Sequence, residues 1–370
     1  MISTTLTANL RQLPERETLV SVVVPTYNRA HLLPDAIDSV LRQKWPDVEV
    51  VVVDDGSSDN TADIVAALAR SDSRVRYLAQ ENRGVSSARN KALANCRGSM
   101  IAFLDSDDVW HSSKLEIQVG ILQSLPRVGM VWSDMHAIDA DGRHLCHNYL
   151  RKMYKGYDRL SQDELFSSST RLVDMLAKGN DAPLNVTVFW GRIYPKMVFG
   201  NLVHTSTVLM RRERAADVGP FDESMRAGGE DYKYHLATTR LGEVAFVDTA
   251  TIDYRIGGDD QITNIRNQVN FATSFLSTLE EQIEHYPAEL QLSDRELNAI
   301  RADAHDWLAS ALIERGQRRR AALHALKAIH QRPVTPTAWK TLAKTMLPRT
   351  AVDLVRAARK LRTGSTAASM

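Results

Sequence analysis

The chain has 370 residues, 44% of them hydrophobic and 25% charged, with a formal net charge of +1 and two cysteines. That length allows roughly two domains with a sizeable buried core, and the overall charge by itself indicates no partner. Cys96 and Cys146 show no zinc-type Cys/His spacing, Met1 to Thr18 lacks the basic-then-apolar pattern of a secretion signal, and no apolar run approaches the roughly 18 residues of a spanning helix; a soluble protein of a reducing, cytoplasmic compartment is expected.

The charge is unevenly placed. From Ala311 to Met370 there are 13 Lys and Arg against 2 Asp and Glu, or net +11, which leaves net −10 for residues 1–310. Such a split points to an anionic partner, such as a membrane surface, for the C-terminal segment.

In chain order, the β-branched run Leu19 to Val24, ended by Pro25, predicts a first central strand. After the loop Thr26 to Arg29, the residues Leu32, Leu33, Ala36, Ile37, Val40 and Leu41 recur at helical spacing. Val48 to Val53 predicts a second strand running into Asp54-Asp55-Gly56-Ser57-Ser58-Asp59. A helix capped by Asp59, Asn60 or Thr61 follows through Arg70, then a third strand at Val75 to Leu78. Glu81 to Asn90 opens another helix, with Arg89 in its early turns. Spare N–H groups and a guanidinium there suit phosphate; an ordinary capped amphipathic helix is the alternative.

Ser99 to Leu104 predicts a buried strand that ends in Asp105, Ser106, Asp107 and Asp108. Two carboxylates at spacing i, i+2 around a small Ser can reach one hard divalent cation and leave positions for phosphate oxygens, whereas a bare Asp-x-Asp can equally be a solvated loop. Convergence favours the site. Three strand ends deliver polar loops to one edge of an α/β sheet, where ligands bind beyond the strands' carboxyl ends.

Val24-Pro25-Thr26-Tyr27-Asn28-Arg29, Val53 to Asp59, Glu81 to Gly84 with Ala88-Arg89-Asn90, and Phe103 to Asp108 together resemble, in wording, order and spacing, the family 2 glycosyltransferases of GT-A fold. The resemblance runs over roughly residues 19–260. It implies a mainly parallel, Rossmann-like sheet with helices on both faces. It also implies that Pro25, Thr26, Tyr27, Asp54 and Asp55 hold the base and ribose, and that Asn82 and Arg89 face base or diphosphate. Asp105 and Ser106 would contact the donor, and Asp107 with Asp105 would bind a Mg or Mn ion. A carboxylate suits the imide N–H of uracil or thymine, so a UDP or dTDP sugar is expected.

Further on, a helix is predicted from Ser112 to Ser124, a strand at Gly129 to Ser133 and a turn at Asp139 to Gly142. Residues 143–200 lose periodicity and collect Tyr149, Tyr154, Tyr157, Phe166, Phe189, Trp190 and Tyr194, which either fill a secondary core or, as the resemblance implies, face the acceptor. Asn201 to Met210 predicts a strand, followed by a short helix and a turn at Val218 to Glu223. Gly228 and Gly229 open a helix with Glu230 and Asp231 in its first turn, where acids also suit the helix dipole. By resemblance this is the family's Glu-Asp motif, with Asp231 the general base of an inverting transfer and Glu230 structural or a second candidate. Val244 to Val247 is the last predicted strand. Many relatives carry His where this chain has Gly257, which leaves a metal ligand to be replaced, with Asp259, Asp260 or Gln261 as candidates.

From about Ile265 the pattern is all-helical, broken at Gly316 and Pro333. Arg315, Arg318, Arg319, Arg320, Arg356, Arg359, Lys360 and Arg362 make it a basic amphipathic unit, either a solvated face or a peripheral attachment to the inner face of a membrane. The expected organisation is a glycosyltransferase domain at 1–262, with a nucleotide-sugar half at about 19–135 and an acceptor half at about 136–262. A helical extension at 263–362 and a disordered tail at 363–370 complete it. The expected activity is metal-dependent inverting transfer from a nucleoside diphosphate sugar to a glycan or lipid-linked hydroxyl, in cell-surface polysaccharide or glycolipid assembly. Two rivals are weaker. A nucleotidyltransferase would need a Gly- and Lys-rich loop where Pro25-Thr26-Tyr27-Asn28 stands, and a catalytically silent nucleotide-sugar-binding scaffold has no need of Arg89, Asp105, Asp107 and Asp231 together. Nucleic-acid binding by the basic tail lacks an aromatic-interleaved groove.

Overall fold

Valine runs too apolar for a half-exposed strand dictate the centre of the molecule: every residue of Val48–Asp54 is buried. A computed structural model of the protein describes residues 16–176, 185–257 and 267–346. The chain divides into two compact units, Met1–Ile262 and Thr263–Met370.

The first unit is built on one sheet of eleven strands among the described residues: β1 Arg16–Thr26, β2 Val48–Asp54, β3 Val75–Ala79, β4 Gly98–Phe103, β5 Val109–Trp110, β6 Met130–Ile138, β7 His144–Cys146, β8 Ser168–Arg171, β9 Thr187–Gly191, β10 Leu209–Arg211 and β11 Val244–Arg255. Their order is β3-β2-β1-β4-β10-β6-β11-β9-β8, with β5 paired to β11 and β7 to β6. The run β3-β2-β1-β4 is wholly parallel, and β6 pairs parallel with β11. Short β10 lies antiparallel to both β4 and β6 and joins these two parallel groups. The chain leaves β1 for β2 on one side and returns to β4 on the other, so the order reverses at β1/β4 and a crevice opens beyond their carboxyl ends. The register Val24↔Val52 and Val23↔Phe103 brings Thr26, Asp54 and Asp105 to that one edge.

The expected mainly parallel α/β architecture is present, with helices at Leu33–Leu41, Thr61–Ser71, Val85–Asn95, Lys114–Ser124 and Glu230–Arg240 around the sheet. Behind β4, Phe103 meets Phe221 edge-on at 5.6 Å, and Phe221 stacks on Tyr234 at 3.8 Å. Asn90 fixes the same segment through two bonds: its Nδ2 donates to the Phe221 carbonyl, and its Oδ1 accepts from the Phe221 N–H.

Two expectations need correction. Asn201 to Met210 is not one strand: Thr205–Thr207 forms a 3-10 turn and only Leu209–Arg211 joins the sheet. The cause is local competition, since the Thr207 hydroxyl bonds back to the His204 carbonyl and Ser206 Oγ accepts from the Asp105 N–H, taking groups a ladder would need. The last strand runs far beyond Val247, to Arg255, because it shifts register between Val247 and Ala250 and again before Asp253, which interrupts the alternation a reader of sequence relies on.

The second unit holds helices at Gln268–His285, Pro287–Leu290, Asp294–Glu314, Arg318–Gln331 and Pro336–Met346. Ser293 and Glu296 form a capping box, and Gly316, at φ +72°, turns the chain between two of the helices. Alanine dominates its core: Ala302, Ala328 and Ala338 form one buried cluster and Ala309, Ala325 and Leu342 another. Asp259, Asp260, Gln261, Arg356 to Arg362 and the 363–370 tail lie outside the described residues. Among the described residues no helix is long and apolar enough to cross a membrane.

Candidate active site

Beyond β2, Asp54 and Asp55 are buried and engaged by the protein itself. Asp54 accepts from the Ser57 N–H at 2.8 Å and the Tyr77 hydroxyl at 3.0 Å. Asp55 accepts from Gln80 Nε2 at 2.8 Å, the Arg83 N–H at 2.9 Å and the Gly84 N–H at 2.7 Å. Beside them Thr26 is buried, and its hydroxyl has no hydrogen-bond partner among the described residues. Tyr27 is 47% exposed. Pro25 continues β1 against Val53, and Asn82 lies at the surface with its carbonyl near Arg226.

Beyond β4 the acids are held differently. Asp105 accepts from Arg89 at 2.8 Å; against the effect of burial, Arg89 and His204 hold its carboxyl below the usual range. Buried Ser106 separates it from Asp107, whose nearest cation is Arg29 at 3.9 Å. Burial, with negative Asp108 and Asp105 close by, pushes Asp107 up to about 7. Asp108 is fully buried, accepts from the Arg255 N–H at 3.2 Å and faces His204 Nε2 at 3.4 Å; burial and Asp105 raise it too. Although burial opposes the charge on His204, Asp108, Asp105 and Asp231 draw its pKa upward.

Asp105, Asp108 and His204 offer ligand atoms that all lie within 4.8 Å of one another. The sequence pointed to Asp105 and Asp107, and Asp107 stands outside this group. His204 went unnoticed because it sat in an apolar run read as strand, and Asp108 because the i, i+2 spacing drew attention to its neighbours. Gly257, where the resemblance led a His to be expected, follows β11 at φ +95° with nothing within 4 Å of where a Cβ would stand.

Arg89 joins the acid loop to the predicted base. It is almost fully buried on the helix Val85–Asn95, over the Phe221 ring, and donates to Asp105 at 2.8 Å and Glu230 at 3.0 Å; its Nε has no partner among the described residues. Glu230, buried beside Asp231, is pushed up to about 7 despite Arg89. Asp231 is half-buried, and burial raises its pKa against the pull of the Tyr232 N–H, Arg89 and His204. Gly229, at φ +95°, starts this helix without a side-chain cap, leaving the first-turn carboxylates to face the crevice charges. Of the aromatics in 143–200, Phe166 and Phe189 pack together and on Trp132, as a secondary core. Tyr154 instead places its hydroxyl 3.5 Å from His204 Nδ1, and burial and Asp231 raise its pKa well above the ordinary value.

Known proteins resemble this chain in sequence and in fold. The model of "Glycosyl transferase family 2" matches residues 21–176. An uncharacterized glycosyltransferase of Rickettsia typhi is 28% identical over 296 residues, 80% of this chain and 79% of that protein. A UDP-Glc:alpha-D-GlcNAc-diphosphoundecaprenol beta-1,3-glucosyltransferase of Escherichia coli is 47% identical over 105 residues, 28% of this chain and 41% of that protein. Among solved structures, the mannosyltransferase PcManGT from Pyrobaculum calidifontis, in complex with GDP-Man and Mn2+, superposes with a TM-score of 0.52 at 16% identity, covering 93% of this chain and 96% of that one, a likeness of fold. With its motifs gathered at one sheet edge and the family's model lying over them, residues 21–176 carry the likeness to the family 2 glycosyltransferases, and the chain has the GT-A fold.

Proposed function

We propose that the chain moves a sugar, with inversion, from a nucleoside diphosphate sugar to a hydroxyl of a glycan or lipid-linked acceptor, using a Mg or Mn ion at the acid loop. The observation that carries this reading is buried Arg89, in contact with Asp105 on one side and Glu230 on the other, which sets the donor-side acids and the Glu230-Asp231 pair around one cation.

The residues suit a divalent ion. Asp107 and Asp108 carry pKa values raised by burial and by their acidic neighbours, and oxygen donors with one imidazole suit Mg or Mn better than a softer metal. Asp105, Asp108 and His204 would hold it, with Asp107 turning in beside them, and His204 would take the place that the resemblance gives to a His at position 257. Once bound, the ion supplies Lewis-acid neutralisation of the diphosphate. Arg89 adds charge stabilisation to the same leaving group. Asp231 takes the proton of the acceptor hydroxyl as its oxygen attacks the anomeric carbon, while the bond from that carbon to the diphosphate breaks on the opposite face. No covalent sugar-enzyme bond forms, and no second acid is needed for so good a leaving group. A raised pKa makes Asp231 a better proton acceptor than an exposed aspartate.

Thr26, Tyr27, Asp54 and Asp55 would form the base and ribose pocket, with Asn82 at its rim. The unpartnered Thr26 hydroxyl and exposed Tyr27 ring are what this pocket offers beyond its own internal bonds. UDP or dTDP is favoured, in keeping with the UDP-Glc named for the Escherichia coli relative; GDP-Man with Mn2+ in the Pyrobaculum neighbour makes GDP the competitor to test. That relative's diphosphoundecaprenol acceptor also supports a lipid-linked one here. In the helical unit Leu323 is 61% and Leu326 51% exposed on the helix Arg318–Gln331, beside Arg318, Arg319, Arg320 and Lys327, which suits peripheral attachment to the anionic inner face of a membrane.

Calorimetric binding of UDP, GDP, dTDP and CDP, with Mn2+ and then with chelator, tests the donor site. Tight, metal-dependent binding of one diphosphate is expected; a folded protein that binds none would fit a silent scaffold instead.

A further inference from the structure

We propose that His136, His144 and His147 form a second metal site, of zinc type, on the β6–β7 hairpin and apart from the acid loop. In sequence these residues read as H-x7-H-x2-H, a spacing without meaning until the hairpin closes. The turn does this: the Gly142 N–H bonds to the Asp139 carbonyl, and Ile138 pairs with His144 and Ala137 with Cys146. The three imidazoles then offer ligand nitrogens all within 4.8 Å of one another, with ring centroids 3.9 Å apart for His144 and His147, 4.7 Å for His136 and His147, and 5.4 Å for His136 and His144. Nitrogens on one tetrahedral zinc, at Zn–N of about 2.0–2.1 Å, stand about 3.3 Å apart, so the rings would close by up to about 1.5 Å on binding.

A second observation points to a ligand. His136 Nδ1 is buried and has no hydrogen-bond partner among the described residues, although neighbouring rings surround it. A lone pair withdrawn from water without a partner is costly, and a metal supplies one. The nearby Asp253 carboxylate is engaged by His111 at 3.0 Å. Three imidazoles with no carboxylate in the group select zinc-like ions over Mg or Mn, and three protein ligands leave a fourth position for water or a further donor. Cys146 Sγ, 2.7 Å from Lys152 Nζ, stands outside the group.

The site has a route to the chemistry. Arg255 donates through Nη1 to the Asp139 and Ala140 carbonyls of the hairpin turn at 3.1 and 2.8 Å, and through Nε to the Asp107 carbonyl at 3.1 Å. Its backbone N–H holds Asp108. Metal at the three histidines would therefore stiffen the hairpin against which the acid loop is braced.

The test uses the full chain, stripped with chelator and then held in saturating Mg2+ so that the acid loop is occupied. Zn2+ is titrated by calorimetry and Co2+ by its visible absorption. The expected result is a single equivalent of Zn2+ and a tetrahedral Co2+ spectrum, with affinity weakened at least about tenfold in His144→Ala or His147→Ala and lost in the double variant. Both residues are exposed, so the metal-free variants should melt like the parent. Unchanged Zn2+ affinity in the double variant, or Zn2+ binding abolished by Asp105→Asn but kept in the double variant, would overturn the proposal; neither result would touch the donor-site reading.

Discussion

Two aspartate-rich loops follow β2 and β4, the two strands that flank β1, and the protein treats them in opposite ways. Asp54 and Asp55 receive five hydrogen bonds from their own surroundings, including the N–H groups of Ser57, Arg83 and Gly84. Gly56 makes this closure possible: it sits at φ +79°, and a Cβ there would stand 2.9 Å from the Asn82 N–H nitrogen. Asp105, Asp107 and Asp108 crowd together instead, with Arg89, Arg29 and His204 as their main counterweights, and two of the three have raised pKa values. Acids after a strand can thus shape a loop or hold a charge in readiness. Which they do depends on whether backbone N–H groups arrive to satisfy them.

The largest break in this contrast is expected at Asp231, the base proposed for the transfer. Asp231→Asn should lower turnover by roughly 10²- to 10⁴-fold while leaving donor affinity nearly intact, since a general base acts only on the acceptor's proton. Strongly weakened binding of the nucleoside diphosphate would instead put Asp231 in the donor pocket. The next effect sets the loops directly against each other. Asp107→Asn should cost roughly 100-fold in metal-dependent donor binding, yet leave the metal-free protein at least as stable as the parent, because it removes a repelled charge. Asp55→Ala should do the reverse to the fold, costing about 2–4 kcal/mol in urea unfolding as its amide donors lose their acceptor. Equal stability losses at the two positions would erase the distinction.

Acidity sharpens it further. Asp107 and Glu230 titrate near 7 in the folded chain, well above their unfolded values, so the folded state binds more protons and the stability tied to them is full below about pH 4 and lost as pH rises toward 7. The metal-free melting temperature should fall across that window. If the acid loop holds the proposed metal, Mn2+ would take the place of the proton there, so the upward shift it produces should grow between pH 5.5 and 7.5. Scanning calorimetry with equal Mn2+ shifts at both pH values would contradict this.

Much of this contrast could be read in the chain, and the reasons for the rest are physical. Continuous valine runs announced β1 and β2, and the carboxylates beyond β2 and β4 announced the crevice, because a buried parallel strand has a local signature and its C-terminal end a fixed meaning. His204 was hidden by its apolar neighbours, and only the folded turn Thr205–Thr207 swings it toward Asp108. The length of β11 was hidden by its register shifts, and with it Arg255, whose N–H reaches Asp108 from 147 residues away. The histidine trio on the hairpin was invisible for the same reason. None of these pairings leaves a trace in local periodicity.

The smallest predicted effect is the one that asks whether the satisfied loop has anything left to give a ligand. Thr26 Oγ1 is buried and unpartnered, so the free protein bears the cost of its desolvation, about 1–3 kcal/mol for such a group. Thr26→Val keeps the shape and removes the hydroxyl. If the pocket beside Asp54 and Asp55 is a nucleotide site, the hydroxyl is repaid only when donor arrives, and the substitution must act with opposite signs: the free protein melts higher, while affinity for the nucleoside diphosphate falls about threefold to tenfold, the worth of one net hydrogen bond. A variant that melts higher and binds equally well would show that the hydroxyl is a flaw of packing and that Asp54 and Asp55 shape the loop without receiving the base.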